Sequence, residues 1–465
     1  MIMELLYKLQ RLVWGPPLMI LLLGTGAYLM ILLKGMPIRN LPRAVRETLR
    51  SSSDNDKGGK GGDISAFSAL CTELAATIGT GNIVGVVGAI MLGGPGALWW
   101  MFLSSVLGLA TKLVESSLSV KYRKIGKDGH YLGGPMVTLT QEVFPYKRLG
   151  RFLSGGYCVL AVFCALGMGN MVQANSIAGS LEIAFGTERR LTGLLLMLLV
   201  LGVLWGGTKW VMGAATMLVP TMGILYMIGC AGILLMHHEC IGNVIMGSLH
   251  AAINPRAVSG GLFGILRISM FDSMKWGVSR GIFSNEAGLG AAGISAAASK
   301  EKDWVRQGYV SMTGVFFDTM IICMITGLAF CVSGVMGMVN TGGLYLQNGD
   351  YVEKYDGVGL MIATFEGTYG RFGVIILTVC IVLFAFATIL GWGYQGERVF
   401  IFFCGESSAF VYRILYGITS FFGAFLTLEF IWSFSDVCNG LLALPNLVCV
   451  LMLSKGICKE IRDWK

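Results

Sequence analysis

Two polar runs interrupt otherwise apolar stretches of this chain: "ATIGTGNIVG" at residues 76–85 and "RGIFSNEAGLGAAG" at 280–293. Their residue types suit recognition of a small charged molecule. Glycine weakens a helix and lets a ligand approach the backbone. Thr77, Thr80, Asn82, Ser284 and Asn285 add hydroxyl and amide groups. Unwinding a helix in hydrocarbon exposes N–H and C=O groups, each costing several kcal/mol if left alone. A polar ligand offsets that cost. Amides at the start of a half-helix favour a carboxylate; carbonyls at the end of one favour Na⁺ or an ammonium group. A zwitterionic amino acid with a cation uses both. A glycine-rich run also makes tight helix crossings, as "VGVVGAIMLGG" would. Two interruptions at matching positions favour binding over packing.

Further polar residues fall inside apolar segments. Asn170 and Gln173 are three apart and so expected on one helix face, with Asn175 close by; they either bond a neighbouring helix or meet the ligand. In "FAFATILGWGYQGERVF", Thr388 is the one central hydroxyl and the candidate cation ligand, while Trp392 lines the pocket or anchors at the interface. Charged residues in a span are functional hypotheses by default. Arg280 and Glu286 are expected to pair across the second interruption; alternatively Glu286 meets the ammonium group or carries a proton. Lys112 and Glu115 are expected to pair locally, and Asp272, Lys275 and Asp318 to lie near the membrane surface.

The elements that position these groups follow from composition. With 54% hydrophobic and 13% charged residues, the chain is a polytopic integral membrane protein rather than a soluble one. Its 12 cysteines include no CxxC pair and read as small hydrophobes; "MHHEC" reads as a solvated loop end rather than a metal site. The N-terminus resembles a signal peptide, but its apolar run at 17–33 is long enough to be a retained membrane helix. Eleven spans are expected, near 16–34, 64–91, 97–120, 152–185, 191–207, 210–236, 263–297, 309–338, 370–396, 409–429 and 431–454. Lysines and arginines cluster after the first, third and seventh spans and at the C-terminus. This puts the N-terminus outside and the C-terminus in the cytoplasm of a plasma (inner) membrane, and distributes the net charge of +8 by membrane side rather than toward nucleic acid. Arg39, Arg43, Arg46 and Arg50 share a helical face opposite Ile38, Val45 and Leu49: an interfacial helix or a solvated basic loop. Residues 51–63 read as a flexible tether.

Beyond the first span, ten remain as two sets of five, each beginning with an interrupted segment; five crossings invert the second set. The expected organisation is residues 1–63 as an N-terminal helix and basic linker, 64–236 as the first repeat, 237–262 as an extracellular loop, 263–455 as the second repeat and 456–465 as a tail.

Those runs, with "GGPGALWWMF", "KLVESSLSVKYR", "YLGGPM" and "GNMVQANSIA" in order, resemble the alanine or glycine:cation symporter family (sodium:alanine symporters) over roughly 60–455. The resemblance implies a leucine-transporter-type fold of the amino acid–polyamine–organocation superfamily: all-α, a 5+5 inverted repeat with core helices 1 and 6 broken, plus one extra N-terminal helix. It also implies Na⁺-coupled uptake of a small neutral amino acid by alternating access. Carried over, the substrate residues are Thr77, Gly79, Thr80, Gly81 and Asn82, with Phe283, Ser284, Asn285, Glu286 and Gly288, completed by Gln173 and Trp392. The sodium site is implied at the carbonyls of Ala75 and Ile78, the region of Phe384 and Ala385, and Thr388; Ala387 stands where such sites often have a second hydroxyl.

No cofactor beyond Na⁺ as coupling ion, no nucleic acid and no obligate protein partner are expected; the partners are the amino acid, Na⁺ and the lipid bilayer. Proton coupling is the alternative, and a channel a further one. No HExxH or GxSxG signature occurs, so an enzyme is not expected.

Overall fold

The structure, a computed structural model, describes residues 2–53, 64–126, 129–141, 143–254, 256–259, 266–340, 344–345, 352 and 356–464. Among the described residues it is helical apart from two small antiparallel strand pairs, which match Lys124 with Leu132 and Arg256 with Ser269, an isolated bridge between Ile64 and Ser299, and the connecting turns. Most of the proposed tether, at 54–63, lies outside the described residues; residues 51–53 prolong a helix.

The chain opens with α1 (Ile2–Val13) and α2 (Pro16–Leu32), bent by 40° at Trp14–Gly15. Pro16 and Pro17 suit a first helical turn, where N–H groups have no intrahelical acceptor. The basic helix α3 (Leu41–Ser53) follows. Its packed face differs from the expected one: Ala44 and Thr48 are buried, and Thr48 Oγ1 meets Thr313 Oγ1 at 3.2 Å. Ile38 and Leu49 are exposed with the arginines, because only small side chains fit against the neighbouring helix.

The first interrupted segment is α4 (Ala66–Thr77), a 3₁₀ turn at Thr80–Asn82 and α5 (Val84–Gly93), bent by 61°. Then come α6 (Ala97–Lys121), α7 (Lys147–Leu166) running through a π-helical turn (Gly167–Met171) into α8 (Val172–Phe185), α9 (Arg189–Trp205) and α10 (Thr208–Met236). The stretch expected as an extracellular loop holds α11 (His238–Ile253), which docks on α6: Trp99 and Trp100 donate to Ser248 Oγ and Ala252 O at 2.9 and 3.0 Å.

The second interrupted segment is α12 (Met270–Asn285) and α13 (Ala291–Ala297). It leads to α14 (Trp304–Val315), a π-helical stretch (Phe316–Cys323) and α15 (Met324–Val332). Asp303 caps α14 by accepting from Val305 N and Arg306 N. The chain closes with α16 (Gly357–Tyr369), α17 (Arg371–Cys404), α18 (Ala409–Gly423) and α19 (Leu428–Asp463).

Among the described residues, 6 helices are long and apolar enough to cross a membrane, or up to 8 if each bent pair is one span. The expectation of eleven reaches further: α9 and α18 have only 17 and 15 residues, and α12–α13 is broken and polar.

Small residues let the interrupted helix and α17 touch backbone to backbone. A Cβ at Gly391 would lie 2.5 Å from Ala76 N. Gly391→Ala is therefore expected to cost about 1–3 kcal/mol through forced separation of the helices. Gly213→Ala, with no atom within 4 Å of the new carbon, should gain roughly 0.5–1 kcal/mol from helix propensity. Melting temperatures of the detergent-solubilised variants, moving in opposite directions, check this.

Candidate functional site

The two interruptions face each other in the buried centre. In the first, the chain leaves α4 at Thr77, extends through Ile78 and Gly79, and re-coils at Thr80. Asn82 closes this bend by accepting from Gly79 N at 2.9 Å. Gln173 on α8 accepts from both Thr80 N (3.1 Å) and Thr80 Oγ1 (2.9 Å), while its own amide donates to Met168 O at 3.0 Å. Thr388 on α17 donates to Ile78 O at 3.3 Å. Only glycine fits at 79: a Cβ there would come within 2.4 Å of Thr388 Oγ1 and 3.1 Å of Gln173 Oε1.

The second interruption begins where Glu286 turns left-handed (φ 57), a conformation uncommon for a non-glycine residue. Its freed carbonyls are taken by fixed side chains. Lys112 donates to Asn285 O at 2.8 Å, Asn446 to Gly288 O at 2.8 Å, and Tyr157 to Leu289 O at 3.1 Å. Trp392 Nε1 donates to Glu286 Oε1 at 2.8 Å. Trp392 is thus buried against the second interruption, with its Cβ where a side chain at Gly169 would be.

The residue joining the two interruptions is one that sequence reasoning placed at the surface. Asp318, in the π-helical stretch, is fully buried. It accepts from Asn82 Nδ2 at 2.6 Å, Ser284 Oγ at 2.7 Å and Thr319 Oγ1 at 2.7 Å. Asn285 donates to Thr319 Oγ1 at 3.0 Å, so Ser284 and Asn285 of the second run are both committed here. The available signal was a lone carboxylate mid-span in "GVFFDTMIICM".

Most of the expected substrate residues are therefore brought together. Gly81 lies against Phe283, whose ring would be 3.2 Å from a Cβ at 81. Thr77 bonds its own helix at Leu74 O (3.4 Å). Gly288 is set apart, its open side facing Leu22 and Leu447. For the expected sodium residues, Ile78 and Thr388 are in contact, and Ala75 and Ala385 are buried near the α4–α17 crossing. The Phe384 ring packs on Tyr226 (centroids 5.3 Å).

Three expected pairings are corrected. Arg280 pairs with Asp436 of α19 (2.5 and 2.8 Å) rather than with Glu286, because α12 points its arginine toward α19 before the chain breaks. Lys112 pairs with Glu73 of α4 at 3.2 Å, and Glu115 accepts from Asn446; neighbouring helices, not their own, supply the partners. Asn170 and Gln173 do not share a face. The π-helical turn shifts the register between them, so Asn170 donates to Tyr416 O at 2.7 Å while Gln173 meets the interruption. Asn175 bonds Gly423 O and Leu426 O.

A cavity of about 900 Å³ leads toward the interruptions, lined among others by Tyr7, Gln10, Arg11, Arg280, Glu429 and Trp432. Between it and the interruptions, the Phe283 and Trp432 rings meet at a tilt (4.9 Å, 34°), and the Arg280 guanidinium lies 4.5 Å from the Trp432 ring centroid, the three side chains forming a plug.

Comparison with solved structures defines the class. The fold matches that of MhsT, solved in complex with L-phenylalanine (TM-score 0.58, 15% identity, 88% of this chain and 94% of that one). It also matches a Na⁺-coupled sialic acid symporter (TM-score 0.56, 13% identity, 97% and 96%). Both are transporters of the leucine-transporter fold. The profile of the sodium:alanine symporter family spans residues 1–465, and the chain belongs to that family of Na⁺-coupled amino-acid symporters, multi-pass proteins of the membrane. It is 40% identical over 453 residues to the sodium/alanine symporter AgcS of Methanococcus maripaludis, covering 97% of this chain and 94% of that one. It is 31% identical over 458 residues to the probable sodium/glutamine symporter GlnT of Bacillus subtilis (97% and 88%).

Lys112 is the one cation hydrogen-bonded into the interruptions among the described residues, and Glu73 has no other ion-pair partner there. Lys112→Met is expected to cost about 3–5 kcal/mol by stranding the Glu73 carboxylate. Pairing it with Glu73→Leu should recover much of that loss. Thermal melts of the two single variants and the double variant form the cycle that checks it.

Proposed function

We propose that the protein carries a small neutral amino acid, alanine or glycine, into the cell together with Na⁺ by alternating access. Two five-helix repeats of opposite orientation, 64–236 and 263–455, would move against each other around the paired interruptions. The carrying observation is the polar bridge between the interruptions: Gln173 to Thr80, and Asn82 through Asp318 to Ser284. The substrate carboxylate would take the amides around Gly79–Gly81, where Gln173 and Asn82 now accept. Ser284, Glu286 and Trp392 would border its other side.

Glycines 79 and 81 support a small substrate. Space there is measured in single carbons, as the 2.4 Å and 3.2 Å approaches to Thr388 and Phe283 show. Na⁺ would sit where the Thr388 hydroxyl reaches the Ile78 carbonyl, with Ala75, Phe384 and Ala385 supplying backbone around it. The cavity beside Gln10 would open outward, with the N-terminus outside and the C-terminus in the cytoplasm of the plasma membrane. The alanine named for the archaeal relative and the glutamine named for the Bacillus one define the competitors to test.

A second reading, proton coupling through Glu286, is favoured by one observation: Glu286 Oε2 is buried without a hydrogen-bond partner among the described residues.

Uptake of labelled alanine into proteoliposomes tests both. Concentrative uptake is expected only with an inward Na⁺ gradient, with unlabelled glycine competing more strongly than glutamine. Thr388→Ala should raise the half-saturating Na⁺ concentration about tenfold, the effect of losing one oxygen contact to a cation. Uptake driven by a pH gradient without Na⁺ would instead select Glu286 and protons.

A further inference from the structure

The extra N-terminal helix pair reaches into the plug above the pocket. Asp436 of α19 is almost completely buried and receives more than the two bonds from Arg280. Gln10 Nε2 of α1 donates to its Oδ2 at 2.6 Å, and Trp14 Nε1, at the α1–α2 bend, donates to its backbone carbonyl at 2.8 Å. The contact is tight: at Gly440, one turn further along α19, a Cβ would lie 2.2 Å from Val13 Cγ1 and 3.3 Å from Trp14 Nε1. Gln10 also lines the 900 Å³ cavity, so it touches the plug from the open side. We propose that Gln10 and Trp14 are positioning residues of the outer gate, holding Asp436 in the register in which Arg280 closes over Phe283 and Trp432.

The physical case is directional. A carboxylate in a buried ion pair needs further donors to offset its lost hydration. Arg280 occupies one oxygen with each guanidinium nitrogen, and Gln10 supplies a further donor. The bonds from α1 belong to the closed register: they hold the carboxylate where Arg280 meets it, and they are given up when Asp436 moves away from α1 as the gate opens. Removing them therefore weakens the closed state alone and makes closure less favourable.

This inference rests on the symport reading and its outward-facing cavity. The native Cys323 is the reporter: it is fully buried at the interruptions, 3.2 Å from Ser284 Oγ, and does not line the cavity. Full-length protein with Cys240 and Cys404 replaced by serine is reconstituted and labelled with a membrane-impermeant thiol reagent, with Na⁺ and alanine present, and labelling is read at Cys323. Gln10→Ala and Trp14→Phe are expected to speed labelling roughly fivefold, the factor of one lost hydrogen bond. Gln10→Glu should speed it further, since a second carboxylate repels Asp436. Leu12→Ala, on the exposed side of α1, should not change it. That ordering follows charge at the gate rather than bulk, and Trp14→Phe keeps the packing if Gln10→Glu fails to fold. Wild-type labelling rates in both Gln10→Ala and Trp14→Phe, with Na⁺-driven uptake intact in the wild type, overturn the role of α1 while leaving symport standing. Labelling of the reporter solely from the cytoplasmic side overturns the orientation and this proposal with it.

Discussion

A helix cannot be opened inside a membrane unless every freed backbone group finds a partner, and this constraint shapes the centre of the protein. The two interruptions meet it differently. At the second, carbonyls 285, 288 and 289 are held by Lys112, Asn446 and Tyr157 from three other helices. At the first, the backbone is held by Asn82, Gln173 and Thr388, whose groups are the ones a carboxylate or a cation would replace. On the proposed function, one break would be a fixed frame and the other an exchangeable surface. A transporter needs both: a frame that keeps its shape through the cycle and a surface that releases its ligand.

Charge tightens that frame. Glu73, Glu115, Glu286 and Asp318 are all buried around the interruptions, with Lys112 among them. Charges taken out of water are stabilised only when paired and hydrogen-bonded. Asp318 meets the requirement with neutral donors from both interruptions, so it couples them geometrically without a salt bridge. Lys112 meets it by touching α4 and the end of α12 at once. A shift in either interruption is thereby felt at the other through short, directional contacts rather than through general packing.

Much of this was legible in the sequence. The interruptions, a polar contact of Gln173 and the hydroxyl of Thr388 follow from residues that are anomalous for hydrocarbon, whereas the residues alone left Trp392 open between the interior and the interface. Family membership also follows from the order of those motifs. What was not legible is which partner each charge takes. Arg280 and Asp436 are 156 positions apart, and Asn82 and Asp318 are 236 apart; nearness along the chain suggested Glu286 and Glu115 instead. The misjudged pair of Asn170 and Gln173 has a local cause, since a π-helical turn leaves no signature in a three-residue spacing. The packed face of α3 was missed because burial there selects small side chains, Ala44 and Thr48, over the larger apolar ones.

The pocket and the cavity are linked by one continuous set of contacts. Gly81 of the first interruption lies against Phe283, Phe283 against Trp432, and Trp432 under Arg280, which holds Asp436. Each link is close-packed or charge-assisted, and close-packed interiors shift between discrete arrangements rather than deforming smoothly. A ligand settling between Gly81 and Phe283, as the proposed function requires, would therefore act on the Arg280–Asp436 pair without touching it. The same contacts bear on the glycine at 81: a Cβ there would lie 3.2 Å from the Phe283 ring, so a side chain would press permanently on the aromatic pair that leads to Arg280.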